Sequence, residues 1–362
     1  MKKISVALKE RSYPIVVGSG ALSMLGRMAK DARIGSDAIV ISNPVVRGLY
    51  GSRLKRVLAS SSISATFLDV ADTEKSKSQK TAFELIAKIA KFDVGRKVFI
   101  VALGGGVVGD VAGFVAAIYK RGVALVQVPT TFLAQIDSAI GGKTAIDLPA
   151  GKNLVGAFYQ PRFVLSDIMT LGSLSDRQLR NGLAEAIKYG AICDCSLLRF
   201  IEKNLFRILS RDAQALEYVV ARCSAIKARI VVKDEREVLG VRTILNFGHT
   251  LGHGIETACR YGRYQHGEAV ALGMRMAAYL SVQRGLLSES DHQQLERLLT
   301  AAGLPSVIKG VSARAIMNAA AHDKKNISKK NRFVLLQGLG RATVREGIPC
   351  ALIERAIRQV SA

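Results

Sequence analysis

The stretch KVFIVALGGGVVGDVAGFVAAIYKRG, residues 97–122, restricts the fold more than any other part of the chain. An unbroken apolar run passes into glycines and then into a segment with helical spacing. An apolar run without alternation suits a strand covered on both faces, as in a parallel sheet. The glycines mark a tight strand-to-helix turn where backbone can approach a ligand, and a helix start offers unpaired N–H groups to phosphate. The same grammar repeats around it. YPIVVGSGAL, DAIVISN and ATFLDV read as strands closed by Gly, Asn or Asp, TAFELIAKIAKF has helical spacing, and ALVQVPTT is a further strand. Strands alternating with helices predict a parallel sheet with crossover helices.

After about residue 175 the texture changes. SDRQLRNGLAEAIKYG opens on a Ser/Asp start signal and closes on Gly190. Helical periods then cover 196–209, 213–232, 248–259, 267–284, 288–302 and 351–361, and RFVLLQGL reads as an isolated strand. The expectation is an α/β domain over residues 1–175 and a mostly α-helical domain over 176–362, with no internal repeat and no low-complexity linker.

Several classes fall away. No apolar run is long enough to span a bilayer. The basic opening MKKISVALKERSYP carries too short an apolar stretch for a secretion signal. Five cysteines, at 193, 195, 223, 259 and 350, form no CxxC pair, which points to reduced thiols and a cytoplasmic location. The net charge of +23, from 52 basic and 29 acidic residues, raises a nucleic-acid reading. Aromatics are sparse, Trp is absent, and outside DKKNISKKNR, 323–332, the basic residues are spread along the chain. A small anionic ligand and a generally basic surface fit this better than base stacking.

The spacing Gly-Gly-Gly-x-x-Gly-Asp departs from the usual dinucleotide fingerprint, and a tight turn without ligand is the plain alternative. A second loop, VPTTFLAQIDSAIGGKTAIDLPAGKNLVG, brings Thr130, Thr131, Asp137, Gly141, Gly142, Lys143, Lys152 and Asn153 after a strand. Two lysines in a Gly-rich, hydroxyl-bearing loop suit a phosphate or a polyhydroxy anion. Singly, each is an ordinary solvated lysine.

NFGHTLGHGIE, residues 246–256, sets His249 and His253 four apart on one helix face, and His266 follows in QHGEAV. That spacing can offer two ligands to zinc. The metalloprotease motif that uses it needs Glu after the first His, where this chain has Thr250. From spacing alone, a metal site and ordinary core or surface histidines both stand, and the choice of ligands stays open.

Taken together, GGGVVGDVAGFVAAIYKRG, PTTFLAQIDSAIGGKTAIDLPAGKN, GLAEAIKYG, LNFGHTLGHGIE and HGEAVALGM resemble the blocks of the 3-dehydroquinate synthase family, in its order and almost end to end. The resemblance implies a Rossmann-like NAD domain followed by a helical metal-binding domain. It implies one zinc or cobalt ion on Glu185, His249 and His266, with His253 an active-site histidine that does not hold the metal. Ligands from separate elements leave coordination positions open, as a catalytic metal requires. Asp72, Glu74 and Lys77 match an NAD segment, with Thr73 where the family usually has Gly. Gly105, Gly106, Val107, Val108, Gly109, Asp110, Thr130, Thr131, Lys143 and Lys152 match further NAD contacts, and the segment with Thr170 and Ser173 is a weaker match. Lys143, Lys188, Lys233, Arg242, Asn246 and His253 match catalytic positions. Arg121, Asp137, Lys152, Asn153 and the pair Lys324 and Lys325 match substrate-binding ones. The family implies a homodimer, in which Arg121 reaches the neighbouring subunit's site.

The implied reaction converts 3-deoxy-D-arabino-heptulosonate 7-phosphate to 3-dehydroquinate and phosphate, within aromatic amino acid biosynthesis. It runs by transient oxidation with NAD, phosphate elimination, re-reduction and an internal aldol closure. A different sugar-phosphate cyclase would share fold, NAD and metal. A metal-dependent polyol dehydrogenase would release NADH. A nucleic-acid-binding protein would explain the charge, but neither the metal triad nor the glycine loops.

Overall fold

The computed structural model describes residues 1–260, 262–321 and 331–361. The chain forms two compact units, Met1–Leu174 with Leu216–Arg236, and Ser175–Ala215 with Glu237–Ala362.

The first unit holds strands β1 (Lys2–Val6), β2 (Tyr13–Gly18), β3 (Asp37–Ser42), β4 (Ser64–Asp69), β5 (Val98–Gly104), β6 (Leu125–Pro129), β7 (Lys143–Leu148), β8 (Gly151–Phe158) and β9 (Phe163–Asp167). Its helices are α1 (Leu25–Asp31), the short turn α2 (Pro44–Val46), α3 (Ser52–Ala59), α4 (Gln79–Phe92) and α5 (Gly106–Ile118). One sheet runs in the order β1-β2-β9-β6-β5-β3-β4. β1 pairs antiparallel with β2, and the other pairings in this sheet are parallel.

β5 is buried along its whole length. Ile100 and Ala102 join a core with Leu85 and Ile89 of α4 and Val111 and Val115 of α5. Val101 and Leu103 join another with Leu25 of α1 and Leu54 and Leu58 of α3. Alternate side chains thus serve a core on each face, which is why the run shows no polar alternation. The chain steps outward from β3 to β4, then returns to β5 on the other side of β3 and moves on to β6. The carboxyl ends of strands at such a reversal frame the ligand crevice of open α/β sheets. Asn43 and Gly105 lie just past those ends.

The segment read as a loop after Thr131 contains an antiparallel hairpin of β7 and β8, with a register shift between Ile146 and Leu148. Only Thr144 and Ile146 of β7 are fully buried, an alternation too short to stand out in the sequence.

In the second unit lie α6 (Asp176–Cys193), α7 (Cys195–Lys203), α8 (Leu205–Leu209), α10 (His249–Ala258), α11 (His266–Gln283), α12 (Glu289–Ala301), α13 (Ala313–Ala321) and α14 (Cys350–Gln359). Between α8 and α10 runs α9 (Ala213–Lys233), most of which belongs to the first unit. A single cut after residue 175 therefore does not describe the division. RFVLL forms β10 (Arg332–Leu336), which is not isolated but pairs antiparallel with β11 (Ala342–Glu346). Residues of β11 are only partly buried, so its sequence lacks an apolar face. Leu251 and Ile255 of α10, Leu272 and Met276 of α11, Phe333 of β10 and Ile357 of α14 share one core.

α6 starts on a capping box of Ser175 and Gln178, as its Ser/Asp signal predicts. It runs past Gly190 to Cys193. A Cβ at Gly190 would lie 3.0 Å from Leu198, so this glycine serves the close approach of α7 rather than a helix stop. Among the described residues, no helix is long and apolar enough to cross a membrane.

Candidate metal centre and nucleotide cradle

In the first unit, β5 delivers Gly104 into the turn and Gly105 stands as the N-cap of α5, with no side-chain cap. The first N–H groups of α5 therefore face outward without a side-chain acceptor. A Cβ on Gly105 would lie 3.1 Å from Thr131, and one on Gly106 would lie 3.2 Å from Ser138. The turn is thus a narrow, side-chain-free cradle, with Val107, Val108 and Gly109 in the following helical turn. A helix N-terminus of this kind suits a pyrophosphate.

Beside it stands a charged network. Lys77, 5% exposed, donates to Asp110 Oδ2 at 2.8 Å and to Asn153 Oδ1. Lys152 pairs with Glu74 at 3.0 Å. Asn153, at φ 54°, donates its backbone N–H to Asp147 Oδ1 at 2.8 Å. Burial pushes the Asp110 carboxyl up to about 6, against the pull of Lys77 and with help from Glu74 and Asp147. Burial also works against the Lys77 ammonium, but Asp110 and Glu74 raise it above its ordinary value. Burial thus sets the direction for the carboxyl, and the surrounding carboxylates set it for the ammonium.

Thr130 is buried and Thr131 Oγ1 accepts from the Ala134 N–H at 3.2 Å. Thr170 donates to Asp167 O at 2.7 Å, and Ser173 accepts from Tyr50 at 2.7 Å. Asp72 is exposed. The sheet fold thus gathers Glu74, Lys77, Asp110, Lys152 and Asn153 into one network, and leaves Asp72 outside it.

Asp137 lies in a π-helical turn, Ala134–Ser138, a distortion frequent at functional sites. Its Oδ1 accepts from Lys227 Nζ at 2.7 Å, and Lys227 is buried. Lys233, expected at such a position, is exposed at the end of α9. The signal for Lys227 was present: it falls on the apolar stripe of Leu216, Val219, Val220, Cys223, Ile230 and Val231, all buried. A lysine on a buried stripe needs a partner, whereas a lysine at a helix end does not. Lys143 opens β7 and Arg121 ends a tight turn, both exposed.

In the second unit, α6, α10 and α11 bring Glu185, His249 and His266 together, with candidate ligand atoms all within 4.8 Å of one another. His249 Nε2 and His266 Nε2 each lie 3.4 Å from Glu185 Oε1. Both histidines head their helices, and glycines let those helices close in. A Cβ on Gly267 would lie 2.1 Å from Asn181 O of α6, and one on Gly273 would lie 1.8 Å from Gly248 O. The Gly267 N–H also donates to Asn181 Oδ1. α11 begins on a capping box of Gln265 and Glu268, and Arg177 grips Glu268 through two bonds of 2.7 Å.

Glu185 is buried, and neither carboxylate oxygen completes a hydrogen bond of ordinary geometry among the described residues, although Lys188 Nζ stands against Oε2. Burial alone would raise this carboxyl, but Lys188 and His266 bring it down to about 2. Burial alone would lower the His266 imidazole, but Glu185 and Glu256 raise it to about 10. An imidazolium between carboxylates thus supplies the positive charge that the cluster demands. Two imidazole nitrogens and a spare carboxylate form a donor set that fits a divalent zinc or cobalt ion in place of that proton.

His253 shares the face, with its ring 5.3 Å from that of His249 and 6.0 Å from that of His266. Arg242, 2% exposed, sits on a 3-10 turn that ends at Asn246, and its Nε lies 3.4 Å from Glu237. Lys188, expected as a catalytic residue, is the Glu185 partner and also rests 4.9 Å from the Tyr189 ring centroid. Lys324 and Lys325 lie outside the described residues.

The fold is that of the sugar-phosphate cyclases. A solved 2-deoxy-scyllo-inosose synthase, complexed with carbaglucose-6-phosphate, NAD+ and Co2+, superposes with a TM-score of 0.90 over 99% of this chain and 100% of its own, at 28% identity. The 2-epi-5-epi-valiolone synthase of Streptomyces hygroscopicus subsp. jinggangensis, with NAD+ and Zn2+ bound, gives 0.89 over 98% of both chains, also at 28% identity. The models of the 3-dehydroquinate synthase N-terminal and C-terminal parts match residues 67–181 and 182–326. The 3-dehydroquinate synthase of Pelotomaculum thermopropionicum is 44% identical over 96% of this chain and 94% of its own. The chain belongs to the 3-dehydroquinate synthase family.

Proposed function

We propose that this chain converts 3-deoxy-D-arabino-heptulosonate 7-phosphate to 3-dehydroquinate and phosphate, as a phosphate-eliminating lyase that uses NAD and one divalent zinc or cobalt ion. The observation that carries the reading is the near full-length match to 3-dehydroquinate synthases at 44% identity, against 28% for solved cyclases of other names.

When bound, NAD supplies a hydride acceptor that later returns its hydride, and the ion supplies Lewis-acid polarisation of a substrate oxygen. The chain does the rest. The Gly105–Gly106 turn receives pyrophosphate, and Glu74, Lys77, Asp110 and Lys152 order the nucleotide. Glu185, His249 and His266 hold the ion. Lys143, Lys152, Arg121 and Arg242 neutralise the carboxylate and phosphate of the substrate. The Lys227–Asp137 pair offers a donor and an acceptor to substrate hydroxyls. His253 accepts and returns the hydroxyl proton, and Asn246 orients that hydroxyl by hydrogen bonding. Departing phosphate can itself take up a proton, so a strongly basic side chain is not required.

The substrate carries a carboxylate that simple sugar phosphates lack, and Arg242 is a buried cation that suits it. Such a site favours a ligand that brings Arg242 a carboxylate over one that brings none. The test is an assay of phosphate release with NAD and metal supplied. Phosphate should appear without accumulation of NADH. NADH rising in step with product would establish a dehydrogenase instead.

A further inference from the structure

The two histidines of the metal triad present the same nitrogen in different ways. Each turns Nε2 toward Glu185 Oε1, at 3.4 Å. A neutral imidazole offers Nε2 to a metal only when its proton sits on Nδ1, so Nδ1 needs an acceptor. For His249 that acceptor is the backbone oxygen of Phe247, 3.1 Å away. For His266 it is a carboxylate, Glu256 Oε1, at 3.5 Å. Glu256 belongs to α10, is 8% exposed, and also approaches His253 Nε2 at 3.9 Å.

We infer that Glu256 is a positioning residue for the metal centre, holding the Nδ1 proton of His266 so that Nε2 is free to bind the ion. The inference rests on the reading that Glu185, His249 and His266 hold that ion. His253, Glu256 and His266 also form a group with metal-ligand spacing. Ring geometry separates the two possibilities, because Nδ1 and Nε2 point from different edges of the imidazole. With Glu185 on the Nε2 edge of His266, Glu256 on the Nδ1 edge acts through the ring rather than on the same ion. A carboxylate in this place fixes tautomer and ring orientation and makes Nε2 a stronger donor. Because Glu256 is on α10 and His266 on α11, it also ties the last ligand to the helix that carries His249.

The test is metal binding by the full chain, measured by competition with a chromogenic chelator for Zn2+, together with the visible absorption of the Co2+-loaded protein. Glu256→Leu should bind one ion with affinity reduced about 10- to 100-fold, and its Co2+ band should shift. Glu256→Gln, whose amide oxygen accepts the same hydrogen bond, should recover most of the affinity. Should Glu256→Leu fail to fold by circular dichroism, Glu256→Asp takes its place: its shorter reach should bind metal more weakly than Gln. Equal affinity in Leu and wild type, or Gln as weak as Leu or weaker than Asp, overturns the inference. Loss of stoichiometric metal from Glu256→Leu, matching His266→Ala, would make Glu256 a ligand and overturns it too. A wild-type chain that binds no metal would instead refute the triad itself.

Discussion

Glu185 and Lys188 are the charged pair on which the metal centre is built, and a double-mutant cycle measures how strongly they depend on each other. Their side chains are 1% and 2% exposed. Glu185→Gln keeps the shape but leaves the Lys188 ammonium buried beside a neutral amide. Breaking one side of a buried pair costs about 3–5 kcal/mol. The Tyr189 ring, 4.9 Å from Lys188 Nζ, offsets about 1 kcal/mol of that. Lys188→Met should cost less, about 2–3 kcal/mol, because His266 still faces the carboxylate. Removing both charges leaves an uncharged amide and a thioether at two buried positions, and the double variant should lose only about 1–2 kcal/mol. The coupling is then several kcal/mol, far above the few tenths expected of independent sites. Chemical denaturation in the presence of chelator gives the four stabilities without a contribution from metal. Single costs that add within about 0.5 kcal/mol would refute the pairing.

Other consequences are as direct. Gly267→Ala puts a Cβ 2.1 Å from Asn181 O, so α11 must shift; stability should fall by about 1–3 kcal/mol in melting experiments, and metal titration should show weaker binding. A Gly267→Ala chain with wild-type metal affinity would contradict the role given to helix approach. Lys227→Met should lose about 100-fold in kcat/KM through misplaced substrate, while Lys233→Met, on an exposed lysine, should turn over at the wild-type rate; the reverse order would restore Lys233 to the site. Asp110 has a folded pKa raised to about 6 from 3.8. The folded state therefore holds this proton more tightly, and the stability it contributes is complete below pH 3.8 and lost as pH rises through about 6. Relative to Asp110→Asn, the wild type should lose about 1–3 kcal/mol between about pH 4 and pH 7. Denaturation curves at stepped pH check this, and a difference independent of pH would refute it.

What could be read in advance followed the strength of local signals. β5 was legible because burial on both faces writes an unbroken apolar run. The β7–β8 hairpin was not, because few of its residues are buried and β8 opens on glycine, lysine and asparagine, which read as loop. β11 was missed for the same reason, and its absence made β10 look isolated. Gly190 misled because a glycine that permits helix packing has the same letter as one that ends a helix. At the site, the histidine spacing raised a metal without choosing ligands. Glu185 carries no local mark of a ligand, since its neighbour on α6, Lys188, reads only as an ion-pair partner, and the histidines come from α10 and α11, far away in sequence. Lys227 and Lys233 differ by burial, which the helical stripe encodes, but a motif carried over by position does not weigh the stripe. Glu256 could have been suspected from its place on the His249–His253 face, yet the acceptor role needs the His266 ring in view.

The central claim is that this site turns over a carboxylate-bearing heptulosonate phosphate in a redox-neutral cycle. The most direct measurement is phosphate release from 3-deoxy-D-arabino-heptulosonate 7-phosphate and from sedoheptulose 7-phosphate, with NAD, metal and NADH absorbance followed together. The account predicts kcat/KM higher for the heptulosonate by about 10,000-fold, because the rejected sugar lacks the carboxylate that suits the buried Arg242 guanidinium, and no net NADH. Comparable efficiency on sedoheptulose 7-phosphate would contradict it.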